Sequence, residues 1–222
     1  MLKRSIRLLA TILLVAVFAA PAIAAAEQSP QQIVQSIADQ LGNAIQGRQA
    51  ELYKNPDDVI KIIDAIVLPH FDMDYASLLV LGRHARETTP AQRVAFARAF
   101  YNALTRRYAE GLVAYTRGSV KVLPAQGPLD QRRTIVRTQV LLASGKNLSV
   151  DYAFRKTASG EWKAYDVIIE GISYITNYRN QVDAQIKKEG LDGLIKELET
   201  QGDKALQQME QNEKGSKGNG AK

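Results

Sequence analysis

Few residues in this chain of 222 residues could carry out chemistry. His70, Asp72 and Asp74 stand at alternate positions, and imidazole and carboxylate groups are ligands that proteins offer to zinc. Ligands at this spacing need further partners, and the sequence has no cysteine and only two histidines. We therefore expect Asp72 to cap the short helix that follows it, with His70 and Asp74 at the surface.

Two acidic residues at the end of the last predicted strand could act as a general acid and a general base. Asp166 and Glu170 share one parity of this strand, as a catalytic pair would in the pocket of a cone-shaped α+β fold. An acid that is satisfied structurally, near Tyr178 or Arg179, is the simpler interpretation. Arg179 could bind a phosphate or form a structural ion pair. Nucleophilic catalysis lacks its usual parts, because cysteine and a Gly-x-Ser-x-Gly motif are both absent from the sequence.

The N-terminus has the features of a secretory signal peptide. Three basic residues precede an apolar run over residues 8–20, and Ala22-Ile23-Ala24 is a small-x-small cleavage site. We assign residues 1–24 to the signal peptide and expect an exported, soluble protein. Its removal leaves 26 basic and 23 acidic residues, a formal charge of +3. The arginines between Arg83 and Arg179 are dispersed, which is typical of a solvated surface, and no nucleic-acid partner is expected.

Helical patterns flank a central block of strand patterns. Apolar residues every three to four positions predict helices over residues 30–48, 55–69, 73–81, 90–116, 173–187 and 191–209. Alternating patterns predict strands over residues 119–123, 134–142, 148–154 and 162–169. The links between successive strands are short, so the strands should form an antiparallel meander. Residues 212–222 are mostly Gly, Lys, Asn and Ser with nothing large to bury, which predicts a disordered tail.

The last predicted strand has apolar residues on both of its parities. One parity holds Tyr165, Val167 and Ile169, and the other holds Trp162, Ala164 and Ile168 together with Asp166. Two explanations stay open. The sheet could have an ordinary two-sided core covered by the terminal helices, or it could have helices on one side and a hydrophobic cavity inside its curvature.

Several segments carry a resemblance to a known family. WKAYDVIIEGISYITNYRNQV followed by KKEGLDGLIKEL resembles the C-terminal signature of the MlaC family, also called toluene-tolerance auxiliary proteins. The upstream segments FDMDYASLLVLGR and TPAQRVAFARAFYNALTRRYAEGL resemble the same family, in the same order. The likeness runs from Ile33 to Leu198 and covers nearly all of the mature chain.

The resemblance implies a periplasmic, non-enzymatic carrier of phospholipids. Such a carrier shuttles lipid between an outer-membrane lipoprotein complex and an inner-membrane ABC transporter complex, and so helps maintain the lipid asymmetry of the outer membrane. It needs no cofactor, and phospholipid is its cargo. The implied fold is α+β, a curved antiparallel sheet of four to five strands, NTF2-like or cystatin-like, wrapped by helices. Acyl chains would lie in an apolar cavity between sheet and helices.

On this basis residues 25–211 are assigned to a lipid-carrier domain, with residues from two predicted helices and the last two strands lining the cavity. The predicted lining is Ile63, Val67, Phe96, Phe100, Leu104, Tyr108, Val150, Tyr152, Phe154, Tyr165, Val167 and Ile169. Two alternatives stay open. An adaptor that binds only other proteins would have a solid core and an exposed apolar patch. A small-molecule enzyme on an NTF2-like fold would have a smaller pocket with convergent polar groups.

Overall fold

A computed structural model describes residues 28–113, 119–125, 132–142 and 144–219, with side chains as far as residue 212. The residues assigned to the signal peptide lie outside this part of the chain, as do residues 220–222 of the predicted tail. No described helix is long and apolar enough to cross a membrane.

The described part of the chain contains seven α-helices, two short 3-10 helices and five strands. The α-helices are α1 (Pro30–Ile45), α2 (Gln49–Leu52), α3 (Pro56–Ile66), α4 (Met73–Leu81), α5 (Pro90–Val113), α6 (Tyr174–Gln201) and α7 (Asp203–Asn219). The 3-10 helices are Leu68–His70 and Gly82–Arg86. The strands are β1 (Val120–Val122), β2 (Arg133–Leu141), β3 (Asn147–Lys156), β4 (Trp162–Ile169) and β5 (Ile172–Ser173).

The strands form one sheet in the order β1-β2-β3-β4-β5, and each pairs antiparallel with its neighbour. The α+β fold and the antiparallel meander that the sequence predicts are therefore confirmed. The fifth strand is only two residues long and joins β4 directly to α6.

Local hydrogen bonds begin two of the helices where the sequence places their starts. At α5, the backbone N–H of Thr89 donates to the side chain of Gln92 at 3.0 Å, and the backbone N–H of Gln92 donates to the Thr89 hydroxyl at 3.2 Å. This reciprocal pair is the capping box that Thr89-Pro90-Ala91-Gln92 predicts. At α4, Asp72 accepts a hydrogen bond from the backbone N–H of Tyr75 at 3.1 Å, so its predicted role as a cap is also confirmed.

The C-terminal helices differ from the prediction in their breaks and in their length. Gly190 interrupts α6 with φ of 77° and ψ of 169°, and Gly202 ends it. Helix α7 then continues to Asn219, so residues 212–219 are helical where their composition predicts disorder. Leu206 and Met209 are buried in the first half of α7. A helix that packing has already started adds further turns at little cost, which local composition does not reveal.

Buried apolar side chains form three clusters. The helical core joins α4, α5, α6 and α7, and its large members include Val80, Phe96, Phe100, Tyr178, Leu194 and Leu198. A second cluster joins α1, α2, α3 and α5 through Leu41, Ile45, Leu52, Val59, Ala109 and Val113. The third, the sheet cluster, joins α1 to the sheet through Ile33, Val34, Val136, Phe154 and Ala164. The first two clusters join helices to one another. Only the third includes buried residues of the sheet, and these lie on one of its faces.

Candidate functional site

Within the stretch where β3 and β4 pair, β4 contributes one residue more than β3. Phe154 of β3 lies opposite Ala164, but the preceding residue, Ala153, lies opposite Asp166. Tyr165 is therefore the extra residue of a β-bulge. A bulge changes which parity of a strand points to a given side of the sheet.

The bulge explains why β4 has apolar residues on both parities. Residues paired across two strands lie on the same side of a sheet, so Trp162 and Ala164 before the bulge face the same side as Val167 and Ile169 after it. The sequence predicts two opposite faces for these residues, and that prediction is wrong because it assumes a regular strand. We call the side that they share the inner face, and the opposite side the outer face.

Helix α1 covers part of the inner face and leaves another part open. Val136 and Phe154 are each only 1% exposed, beneath Ile33 and Val34 of α1. On the same face, Tyr152 and the two apolar residues of β4 after the bulge are only partly buried. The inner face of β3 and β4 thus presents an apolar surface that the scaffold does not seal.

Partly buried apolar side chains also lie on the helices that approach the inner face. Ile37 of α1 packs against both the second cluster and the sheet cluster, which brings α3 and α5 to the inner side of the sheet. Ile63 and Val67 are partly buried at the edge of the second cluster. Leu104 is partly buried at the edge of the helical core, and Tyr108 is 37% exposed. These residues and the open inner face are the candidate functional site.

Other members of the predicted lining lie in closed packing. Phe96 and Phe100 are 0% and 3% exposed in the helical core, where their rings stack at 5.4 Å between centroids. The Tyr165 ring contacts Tyr75 of α4 edge-to-face at 5.3 Å between centroids. Phe154 is on the inner face but lies beneath α1, whereas Val150, 7% exposed, lies on the same face close to the open surface.

The two acids that could have formed a catalytic pair bind parts of the backbone instead. Asp166 is 7% exposed and accepts hydrogen bonds from the Ser173 hydroxyl at 2.6 Å and from the backbone N–H of Ile175 at 3.0 Å. Its carboxylate therefore holds the first turn of α6. Glu170 accepts from the backbone N–H of Ser149 at 2.6 Å and is exposed. The two carboxylates have separate structural partners.

Polar residues near the start of α4 are likewise used in structural contacts. The carboxylate of Asp72 pairs with the guanidinium of Arg155 at 2.6 Å, in addition to capping α4. The same guanidinium lies over the Tyr75 ring at 4.1 Å from its centroid. Burial lowers the pKa of His70, with a smaller contribution from the charge of Lys163. Among the described residues, no three His, Asp or Glu side chains come together as a metal site would require.

Arg179 is held by the backbone of α4. Its Nε donates a hydrogen bond to the carbonyl oxygen of Leu79 at 2.6 Å. Its side chain also lies against Gly82, where a Cβ atom would come within 3.2 Å of the Arg179 Cδ. Arg179 therefore has a structural role. Its partner is a backbone carbonyl, whereas the sequence suggests an ion pair or a bound phosphate.

No pattern in the sequence predicts a polar cluster that the structure places between α5, α6 and α7. The hydroxyl of Tyr178 lies 2.8 Å from the hydroxyl of Tyr108 and donates to the carboxylate of Glu210 at 3.1 Å. Arg107 forms an ion pair with the same carboxylate at 3.1 Å. Burial raises the pKa of Tyr178 and that of Tyr108. Glu210 comes from the segment next to the predicted tail, and no local pattern marks it as a partner of these tyrosines.

Comparison with known families identifies the group to which the chain is related. The family described as MlaC protein matches residues 35–200, which is well over half of the chain. The chain belongs to the MlaC family. The match includes the open inner face and the helices around it.

Two curated relatives align with this chain over similar lengths. The intermembrane phospholipid transport system binding protein MlaC of Haemophilus influenzae is 28% identical over 178 residues, which cover 79% of this chain and 83% of that protein. The toluene tolerance protein ttg2D of Pseudomonas putida is 28% identical over 181 residues, which cover 81% and 83% respectively.

A solved structure also has this fold. It is the phospholipid-binding protein from Ralstonia solanacearum in complex with a phospholipid, with a TM-score of 0.72 and 27% identity. The comparison covers 82% of this chain and 99% of that one. The likeness therefore spans the sheet and the surrounding helices together.

Proposed function

We propose that this protein is a periplasmic phospholipid carrier that holds acyl chains between the inner face of the sheet and helices α1, α3 and α5. It exchanges lipid with an outer-membrane lipoprotein complex and an inner-membrane ABC transporter complex of the Mla type, and so contributes to the lipid asymmetry of the outer membrane. The observation that carries the proposal is the partly buried apolar surface on the inner face of β3 and β4. The phospholipid complex of the Ralstonia protein, which shares this fold, supports it.

As the lining we propose the members of the predicted set that lie on the inner face near its open part, together with those in and after α3 and on α5 that are not fully buried. These members are Ile63, Val67, Leu104, Tyr108, Val150, Tyr152, Val167 and Ile169. Phe96, Phe100, Phe154 and Tyr165 are left out because each is already enclosed by protein side chains or packed at the bulge.

The hydrophobic effect explains why a lipid needs such a protein. Each methylene removed from water contributes about 0.8 kcal/mol, so two acyl chains with roughly 30 methylenes represent on the order of 20 kcal/mol. Free lipid monomers therefore cross an aqueous compartment too rarely to be useful. A protein cavity and a bilayer offer similar apolar surroundings, so a carrier can both load and release lipid. The direction of net transport then comes from its partners, including ATP hydrolysis by the transporter.

Native mass spectrometry of the mature protein, followed by extraction and identification of lipids, tests the proposal. The wild-type protein should carry an added mass that equals one or more diacyl phospholipids. Val167→Trp places an indole on the open inner face and should lower the lipid-bound fraction. Val94→Trp makes the same exchange at a side chain of α5 that is 67% exposed, and should leave the bound fraction unchanged.

The contrary result is equally clear. A wild-type protein that shows the bare polypeptide mass, and keeps it after incubation with phospholipid vesicles, would not be a lipid carrier. Equal lipid occupancy in the two tryptophan variants would mean that lipid binds elsewhere than the inner face.

A further inference from the structure

The outer face of β1 and β2 brings together basic residues of the two strands. Lys121 pairs with Gln139, and Arg133 and Arg137 lie on the same side of β2 by alternation. Ile135 lies between the two arginines and is 47% exposed. We call this surface, with Leu141 at its end, the outer basic face.

The exposures on β2 show that this face is open. Ile135 and Leu141, at 47% and 51% exposed, would be buried if a helix packed on them. Helix α1 lies on the other side of the sheet, with Val136 beneath it. Helix α4 reaches the outer side of the sheet near Arg155 and Arg133. The Arg155 guanidinium lies over the Tyr75 ring, and Arg133 donates a hydrogen bond to the Tyr75 hydroxyl.

Positive charge exceeds negative charge on this part of the sheet. The adjacent strand β3 places Asp151 opposite Arg137. Asp72, the acid that approaches the outer face from α4, already pairs with Arg155 at 2.6 Å. Lys121 and Arg133 thus give this face a net positive charge, and exposed aliphatic side chains lie among the basic residues.

We propose that the outer basic face docks on the surface of an anionic phospholipid bilayer. Lysine and arginine near an anionic membrane surface are attracted to its lipids, and guanidinium groups match phosphate oxygens in geometry. Exposed isoleucine and leucine side chains can enter the interface between headgroups and acyl chains. The open face of a sheet presents these groups together to an extended surface. This inference goes beyond carriage of a lipid and does not require it.

Flotation of the mature protein with vesicles tests the docking. One vesicle preparation contains phosphatidylcholine alone, and the other contains phosphatidylcholine and phosphatidylglycerol in equal amounts. The wild-type protein should float with the anionic vesicles only, and its binding should weaken as salt is raised. Lys121→Gln with Arg137→Gln should weaken binding about 30-fold, from the attraction that two basic residues contribute near such a surface. Ile135→Ser should weaken binding without changing its salt dependence.

A matched control removes the same charge elsewhere. Arg98 and Arg106 are exposed on α5, and Arg98→Gln with Arg106→Gln should bind anionic vesicles nearly as the wild type does. The proposal is overturned if the sheet variant and the helix variant bind equally, both with unchanged circular dichroism. It is also overturned if the wild-type protein does not float with anionic vesicles, in which case an acidic protein surface would be the better partner. The lining variant Val167→Trp should still float, which separates a failure of docking from a failure of lipid carriage.

Discussion

Replacing Asp166 by alanine tests whether this buried carboxylate holds the fold together. The wild-type side chain, 7% exposed, accepts hydrogen bonds from the Ser173 hydroxyl at 2.6 Å and from the Ile175 backbone N–H at 3.0 Å. Asp166→Ala removes both acceptors. Since Ile175 is itself only 8% exposed, water cannot easily replace the lost partner of its amide.

The expected loss of stability follows from these two contacts. A hydrogen bond to a charged group contributes about 1.5–3 kcal/mol, and a negative charge at a helix N-terminus adds about 0.5 kcal/mol. Burial of the wild-type carboxylate costs part of this gain, so the net loss in Asp166→Ala should be about 3 kcal/mol. For a protein of this size, about 1 kcal/mol corresponds to roughly 2–4 °C, so the melting temperature should fall by roughly 6–12 °C.

Urea unfolding and thermal melting followed by circular dichroism measure this loss. Glu170→Ala is the control, because Glu170 is an exposed carboxylate that accepts one backbone N–H, from Ser149. Its loss should cost less than about 1 kcal/mol, since water can reach the amide. Asp166→Asn keeps one acceptor and should be intermediate. An Asp166→Ala protein as stable as Glu170→Ala would refute the argument that Asp166 anchors α6.

Two further predictions concern ionisation and backbone strain. Burial raises the pKa of Tyr178 and of Tyr108 above the ordinary 10.0, so the unfolded chain releases these protons first. The contribution of these two tyrosines to the free energy of unfolding should therefore be constant below about pH 10 and fall above it. Urea titrations across this range check the trend, and a flat profile would contradict it. Gly82→Ala should cost about 2 kcal/mol in urea unfolding, because φ is +56° and the new Cβ would crowd Arg179. Gly145→Ala, with φ of +80° and open space, should cost only about 1 kcal/mol, and equal losses would exclude the crowding.

Helix starts and the strand meander could be predicted from the sequence because they depend on contacts within a few residues. The capping box of Thr89 and Gln92 and the cap at Asp72 each join residues three positions apart. The short links between strands force antiparallel pairing without reference to the rest of the chain. The family could also be identified from the sequence, because its motifs are short segments that occur in a fixed order.

The candidate site was predictable only in part. Apolar periodicity marks Phe96 and Val167 alike as residues that avoid water, and both are indeed removed from it to some degree. It does not show whether a neighbouring helix or an open surface meets each of them. Phe96 meets the helical core, whereas Val167 lies on the unsealed inner face. That difference depends on which helices pack on which side of the sheet.

The amino-acid sequence alone thus determined most of the elements, their order and the family, because these follow from short-range patterns, but it missed α2 and β5 and the ends of the C-terminal helices. Tertiary structure decided the two features on which function depends. The bulge at Tyr165 arises only from the register between β3 and β4, and it brings both parities of β4 to the inner face. The outer basic face likewise requires β1 to pair with β2, which places Lys121 opposite Gln139, two residues from Arg137 on the same side of the sheet. Hydrogen-bonded pairing between distant residues sets both, and periodicity along one strand contains no information about its partner.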